Sequence, residues 1–292
     1  VRPTVAACDF AVRRPTSFDD FAADVRAALD RAGEADLIVL PELLSFGLAA
    51  LGDPADPLAL ADRADDLRAR FEQEARRRAT HLLAGSQLCR RDDGAVENVA
   101  HVYGPDGLIA THAKTHLFSE EARMGIAEGD DLCVLRLPFA DVGVAICYEA
   151  EIPEVVTALV DAGADVIACP SFTITEAGFW RVRHCLAARC VENQVFAVHC
   201  GVSGAPFDGF PGGWARASVL GPCDAPWPDD GVIAQAEPNA GGVARATLEI
   251  DALAVNRREG AVRTHADRRR RAPLYDAWRA ASPAPATTTA EA

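Results

Sequence analysis

The chain has 292 residues, 29 basic against 43 acidic ones for a formal charge of −14, and 49% hydrophobic content. That excess of acid argues against nucleic-acid binding and against docking on anionic lipid, both of which need clustered Lys and Arg. The apolar content argues against wholesale disorder, and no apolar run approaches the 18–20 residues, roughly, of a membrane helix.

Read in chain order, Val5 to Cys8 is extended and Phe18 to Ala32 has helical periodicity that stops at Gly33. Asp36 to Leu40 is a buried-strand run ending at Pro41. Leu58 to Ala79 reads as one long charged helix, followed by a strand over His81 to Leu88. Val99 to Tyr103 and Leu108 to Thr111 flank Gly104-Pro105-Asp106-Gly107 and predict a hairpin. Leu132 to Leu137 and Val142 to Cys147 read as strands, Pro153 to Ala162 as a helix, Asp165 to Cys169 as a strand and Phe179 to Asn193 as a helix. The strands Val195 to Gly201, Ala215 to Leu220, Val232 to Ala236 and Val243 to Ile250 follow, with a final helix near Leu253 to Arg258. Strand–helix alternation with added hairpins predicts an α/β fold of mixed sheets covered by helices, two of them face to face. Residues 1–279 form one domain in this reading, and the Ala/Pro/Thr-rich stretch 280–292 is a disordered tail.

Nine cysteines, an odd number with no C-x-x-C, describe neither a disulfide scaffold nor a zinc site. With no basic-then-apolar leader at Val1 to Phe10, the expectation is a cytoplasmic protein. Lys114 is the only lysine among the 29 basic residues, which suggests a position that needs a compact ammonium rather than a guanidinium.

Three strand ends carry chemistry. Glu42 follows the apolar run Leu37-Ile38-Val39-Leu40-Pro41, where desolvation raises a carboxyl towards the range of a general base. Lys114 follows the hairpin. Cys147 leaves a strand towards a helix, where a side chain stands exposed and the next backbone N–H is free to donate. Singly, each has an ordinary alternative as a strand cap, a solvated lysine and a core cysteine. No histidine stands in a cysteine–histidine signature.

Together, LIVLPELLSFG (Leu37 to Gly47), HAKTHLF (His112 to Phe118) with GDD (Gly129 to Asp131), and GVAICYEAEIPE (Gly143 to Glu154) resemble the three signature segments of the nitrilase superfamily of carbon–nitrogen hydrolases. GADVIACPSF (Gly163 to Phe172), LAARCVENQVFAV (Leu186 to Val198) and RRRRAPLY (Arg268 to Tyr275) extend the likeness over all but the tail. The resemblance implies a four-layer αββα sandwich of two mixed sheets, commonly paired as a homodimer. It implies a Glu–Lys–Cys catalytic group at Glu42, Lys114 and Cys147, an assisting glutamate best matched by Glu121 with Glu120 adjacent, and no metal or organic cofactor. The N–H of Tyr148 is the oxyanion donor in that scheme. The expected substrate is a small amide, hydrolysed through a cysteine thioester; nitrile hydrolysis, acyl transfer to an amine, and a catalytically silent scaffold are the competing readings.

Tyr148-Glu149 looks more like amidase-type branches, and Phe172 to Gln194 resembles a bacterial branch with some members fused to an acetyltransferase domain. Glu149, Glu151 and Glu154 make the cysteine's neighbourhood acidic, which either disfavours anionic substrates or suits a helix N-terminus. Phe172, Phe179 and Trp180, with Phe207, Phe210 and Trp214, are candidates for an acyl pocket or for core, and Gly201 to Trp214 for a mobile rim.

Overall fold

The computed structural model describes residues 1–52 and 56–281. The chain opens with β1 (Thr4–Cys8), β2 (Phe10–Ala11), α1 (Phe18–Ala32) and β3 (Leu37–Val39). Two 3-10 helices, Leu44–Leu51 and Pro57–Arg63, lead into α2 (Ala64–Arg78), β4 (His81–Arg90), β5 (Val96–Gly104) and β6 (Gly107–Ala113). Next come α3 (Ser119–Arg123), β7 (Val134–Leu137), β8 (Ala140–Val144), a 3-10 turn at Cys147–Glu151, α4 (Pro153–Asp161), β9 (Val166–Ser171), α5 (Glu176–Asn193) and β10 (Phe196–Ser203). The chain closes with β11 (Ser218–Leu220), β12 (Val232–Gln235), β13 (Val243–Thr247), α6 (Ile250–Glu259), α7 (Thr264–Arg270) and α8 (Ala272–Ala281).

One sheet runs β13-β1-β3-β4-β5-β6 and the other β12-β11-β10-β9-β8-β7, each mixing parallel and antiparallel pairs. The central strands bury both faces, which is why their sequences run apolar without alternation. Val5, Ala7, Leu37 and Val39 join the cluster shared with the second sheet, whereas Ala6, Cys8, Ile38 and Leu40 pack with Val25 and Leu29 of α1 and Phe71 of α2. α1 forms where predicted because Ser17 caps it, its hydroxyl accepting from the N–H of Asp20, and Gly33 ends it at φ 65.

The chain crosses between sheets at Asp9, a fully buried carboxylate that accepts from the N–H groups of Gly201 (2.8 Å) and Ala217 (2.5 Å). β2 then pairs with β10 of the second sheet. No helix among the described residues is long and apolar enough to cross a membrane.

Several expectations need correction. The helix predicted over Leu58 to Ala79 is broken at Arg63 into a 3-10 segment and α2. Leu60, Ala64, Leu67, Phe71 and Ala75 keep one buried stripe through the break, so periodicity cannot reveal it. The strand predicted to reach Cys147 ends at Val144, because Cys147 turns into the left-handed region at φ 48. The last helix is α8, not the one near Leu253 to Arg258, and Ala280 and Ala281 belong to it rather than to a tail. Alanine is the best helix former, so composition alone does not separate that helix end from a tail. Residues 282–292 of the predicted tail lie outside the described residues.

Candidate active site

Glu42, Lys114 and Cys147 leave the ends of three strands and converge. Beyond β3 the backbone of Leu40 donates to the carbonyl of Leu83 (2.9 Å), and Leu43 donates to Ser86 (3.0 Å), so Glu42 stands on a short turn tied at both sides to β4. Gly85 makes that turn possible. A Cβ there would lie 1.9 Å from the carbonyl oxygen of Pro41, and its φ is +68. Gly85→Ala is therefore expected to destabilise the protein by about 3 kcal/mol, combining a left-handed penalty with the clash. Denaturant unfolding checks this, and a change below about 1 kcal/mol would contradict it.

Lys114 follows β6, donates its N–H to Asn98 of β5 and accepts from Gly129, both at 2.9 Å. Gly129 lies so close that a Cβ would come within 2.5 Å of the Ala113 carbonyl, which accounts for a glycine in the motif after the lysine. The ammonium is only 1% exposed and donates to Glu42 Oε1 (2.7 Å) and Glu121 Oε2 (2.5 Å). Glu120, by contrast, is exposed and pairs with Arg123. Asn98, fully buried, donates its amide to both carboxylates, at 2.9 Å to Glu42 and 2.8 Å to Glu121. It fixes the spacing of two like charges around one cation.

Cys147 starts the 3-10 turn after β8 with a positive φ, a conformation that costs a non-glycine residue about 1–3 kcal/mol. Its Sγ lies 3.8 Å from the carbonyl oxygen of Phe172, and the N–H of that same residue donates to Glu42 Oε2 (2.8 Å). The residue that follows β9 thus touches both the thiol and the carboxylate. Tyr148 is the second residue of the turn, where backbone N–H groups have no intrahelical acceptor.

Burial dominates the electrostatics. It pushes the Glu42 carboxyl up, against the opposing pull of the Lys114 ammonium; the Glu121 charge pushes the same way as burial. Burial and the Glu42 charge hold the Cys147 thiol well above its usual range, with Lys114 opposing. For Lys114 itself burial favours the neutral amine, but the two carboxylates outweigh it and keep it charged. At neutral pH the thiol is therefore protonated and stands beside a carboxylate of raised proton affinity, the pairing that proton transfer requires.

Phe172, whose backbone carbonyl touches the thiol, stacks on Phe210 and tilts against Phe46, each with ring centroids 5.8 Å apart. Phe179 and Trp180 belong to a second aromatic cluster. Phe179 stacks on His199 of β10 at 5.4 Å and meets Trp214 at 4.5 Å, while Trp180 stacks on His184 at the surface. The Gly201 to Trp214 stretch is tied down by paired bonds between Phe207 and Phe210 and by the N–H of Trp214 donating to Thr173. The acidic residues after the cysteine are not an uncompensated field: Glu149 is buried and hydrogen-bonded, Glu151 pairs with Arg181 at 2.8 Å, and exposed Glu154 begins α4. Asn98 and Phe46 escape sequence reasoning because neither type, on a strand or after one, carries a distinguishing pattern. No cluster of His, Cys, Asp and Glu suited to a metal occurs among the described residues.

Two mixed sheets between helix layers, with a carboxylate, an ammonium and a thiol meeting at strand ends, define an α/β architecture built around a cysteine. The carbon–nitrogen hydrolase family profile matches residues 4–220, and the chain belongs to that family. A probable hydrolase of Bacillus subtilis (strain 168) is 28% identical over 275 residues, 91% of this chain and 53% of that protein. The chain thus spans about half the length of that relative. An (R)-stereoselective amidase of Pseudomonas sp. is 31% identical over 195 residues, 65% of this chain and 68% of its own. An amidase from Nesterenkonia sp. superposes with a TM-score of 0.73 at 23% identity, covering 94% of this chain and 95% of the other, a likeness of fold.

Proposed function

We propose that this chain hydrolyses the C–N bond of a small amide through a cysteine thioester. The observation that carries the reading is the buried Lys114 ammonium, held between Glu42 and Glu121 next to a thiol that shares Phe172 with Glu42. Glu42 takes the proton of Cys147 Sγ, and the sulfur attacks the amide carbonyl carbon. The Lys114 ammonium and the Tyr148 N–H stabilise the oxyanion, each donor contributing about 3–4 kcal/mol at the transition state. Glu42 then returns its proton to the leaving nitrogen, the C–N bond breaks, and ammonia or an amine departs. Water attacks the thioester, with Glu42 taking its proton; the carboxylic acid leaves and the thiol is restored. Before the first transfer the ammonium faces two carboxylates, and after it the Glu121 carboxylate and the Cys147 thiolate, so the buried cluster keeps its net charge while the proton moves. Phe172, with Phe46 and Phe210, forms the wall that receives the acyl group, and Phe179 and Trp180, in the separate cluster around Trp214, are left outside that wall.

Intact-protein mass after incubation with primary amides, N-acyl amines and matched nitriles, quenched in acid, tests this. The expected result is an acyl adduct and acid release that both vanish in Cys147→Ala, whose fold is otherwise kept. Turnover retained in Cys147→Ala overturns the reading. An acyl-amine formed on adding an amine acceptor would move the chemistry to acyl transfer, and adducts with nitriles alone would move it to nitrile hydrolysis.

A further inference from the structure

One buried carboxylate that takes no part in the proton transfers joins the lysine loop to the cysteine turn. Glu149 is fully buried between them. Its Oε1 accepts from the N–H (2.8 Å) and the hydroxyl (2.7 Å) of Thr115, the residue after Lys114. Its Oε2 accepts from the N–H of Ile146 (2.6 Å), the residue before Cys147. The ring of His112, two residues before Lys114, places Nε2 at 2.9 Å from Oε2 and 3.1 Å from Oε1. The backbone N–H of Glu149 in turn donates to the carbonyl of Ile146 (3.0 Å), closing a reciprocal pair around the strained Cys147 backbone.

We infer that Glu149 is a positioning residue that sets the separation of Lys114 from Cys147, and that His112 and Thr115 are the arms through which it does so. The inference rests on the proposed thioester chemistry only for its kinetic readout. The geometry supports it because every bond of this carboxylate ends on a residue adjacent to, or one removed from, Lys114 or Cys147. A group that merely filled space would need no such distribution. A carboxylate is required because both oxygens accept: four donors converge on it, and an amide in its place would turn an N–H group towards one set of them.

The test uses Glu149→Gln, Thr115→Val and His112→Gln in the full chain. Their readouts are thermal unfolding, kcat and KM separately, and the rate at which iodoacetamide labels Cys147 by intact mass. Glu149→Gln is expected to lower kcat about 100-fold with KM within about threefold, the pattern of a catalytic group displaced by roughly an ångström. Thr115→Val, which keeps the backbone bond, is expected to lose about tenfold in kcat, and labelling of Cys147 should change in both. Glu149→Gln that lowers only the melting temperature, with kcat and labelling as in the wild type, overturns the inference. Should Glu149→Gln not fold, unchanged kcat and labelling in both Thr115→Val and His112→Gln overturn it instead. Labelling reads the geometry whatever the substrate, so failure of the thioester chemistry would show in Cys147→Ala turnover and leave this comparison intact.

Discussion

Lys114→Met is expected to lose activity and stability together, because one buried cation does two jobs. Its ammonium is the only cationic partner hydrogen-bonded to Glu42 and Glu121 among the described residues, and all three groups are buried. Removing it leaves two carboxylates about one side chain apart in a dry site, where breaking a buried pair costs about 3–5 kcal/mol. The deficit is largest at neutral pH. It shrinks as pH falls, because the Glu42 carboxyl, its proton affinity raised further without the cation, neutralises itself by protonation. Turnover should fall by about 10³-fold, since the oxyanion loses its charged donor. Lys114→Arg separates the two effects. It keeps the charge, so stability should recover in part, but a planar fork cannot replace a compact ammonium gripped at 2.7 and 2.5 Å, and kcat should remain about 10²-fold down. Urea unfolding at pH 5 and 8 and steady-state kinetics on the same preparations check both. Wild-type kcat in Lys114→Arg would contradict the role.

That geometry also explains why lysine survives once in a chain that otherwise uses arginine. The composition held the clue, and the apolar run before Pro41, the hairpin before Lys114 and the apolar run before Cys147 put the three residues near strand ends, although the last strand stops at Val144, short of the cysteine. What it does not display is how those ends are held. Asn98 stands just before the strand predicted from Val99, and Glu149 reads as one of three acidic residues near a helix start, yet both are fully buried and hydrogen-bonded to or beside Glu42, Lys114 and Cys147. Their partners lie 23 to 56 and 34 to 37 residues away respectively, apart from Glu149's own bond to Ile146. Local pattern carries no information about such pairings. The same holds for Asp9, where a single carboxylate receives N–H groups 192 and 208 residues away and pins one sheet to the other. Hydrophobic periodicity recovers the layers; the polar struts between them depend on topology.

Glu42→Gln should change the shape of the pH profile as well as its height. In the wild type the base works only when deprotonated, so kcat/KM is expected to fall as pH drops through the Glu42 pKa. Burial raises that pKa above the ordinary 4.5, so the acid limb should lie on the neutral side of it. Glutamine cannot accept the thiol proton, and general-base loss costs about 10²–10⁴-fold. The remaining reaction depends on spontaneous ionisation of Cys147, whose pKa burial holds well above 9.0. Its rate should therefore rise steadily from neutral to alkaline pH with no acid limb. Glutamine also turns one N–H towards Asn98 and Lys114, which themselves donate to this position, or towards the N–H of Phe172. A melting-temperature control is needed for that reason, but a structural disturbance lowers the profile without erasing its limb. An acid limb preserved in Glu42→Gln would remove Glu42 from the role of base.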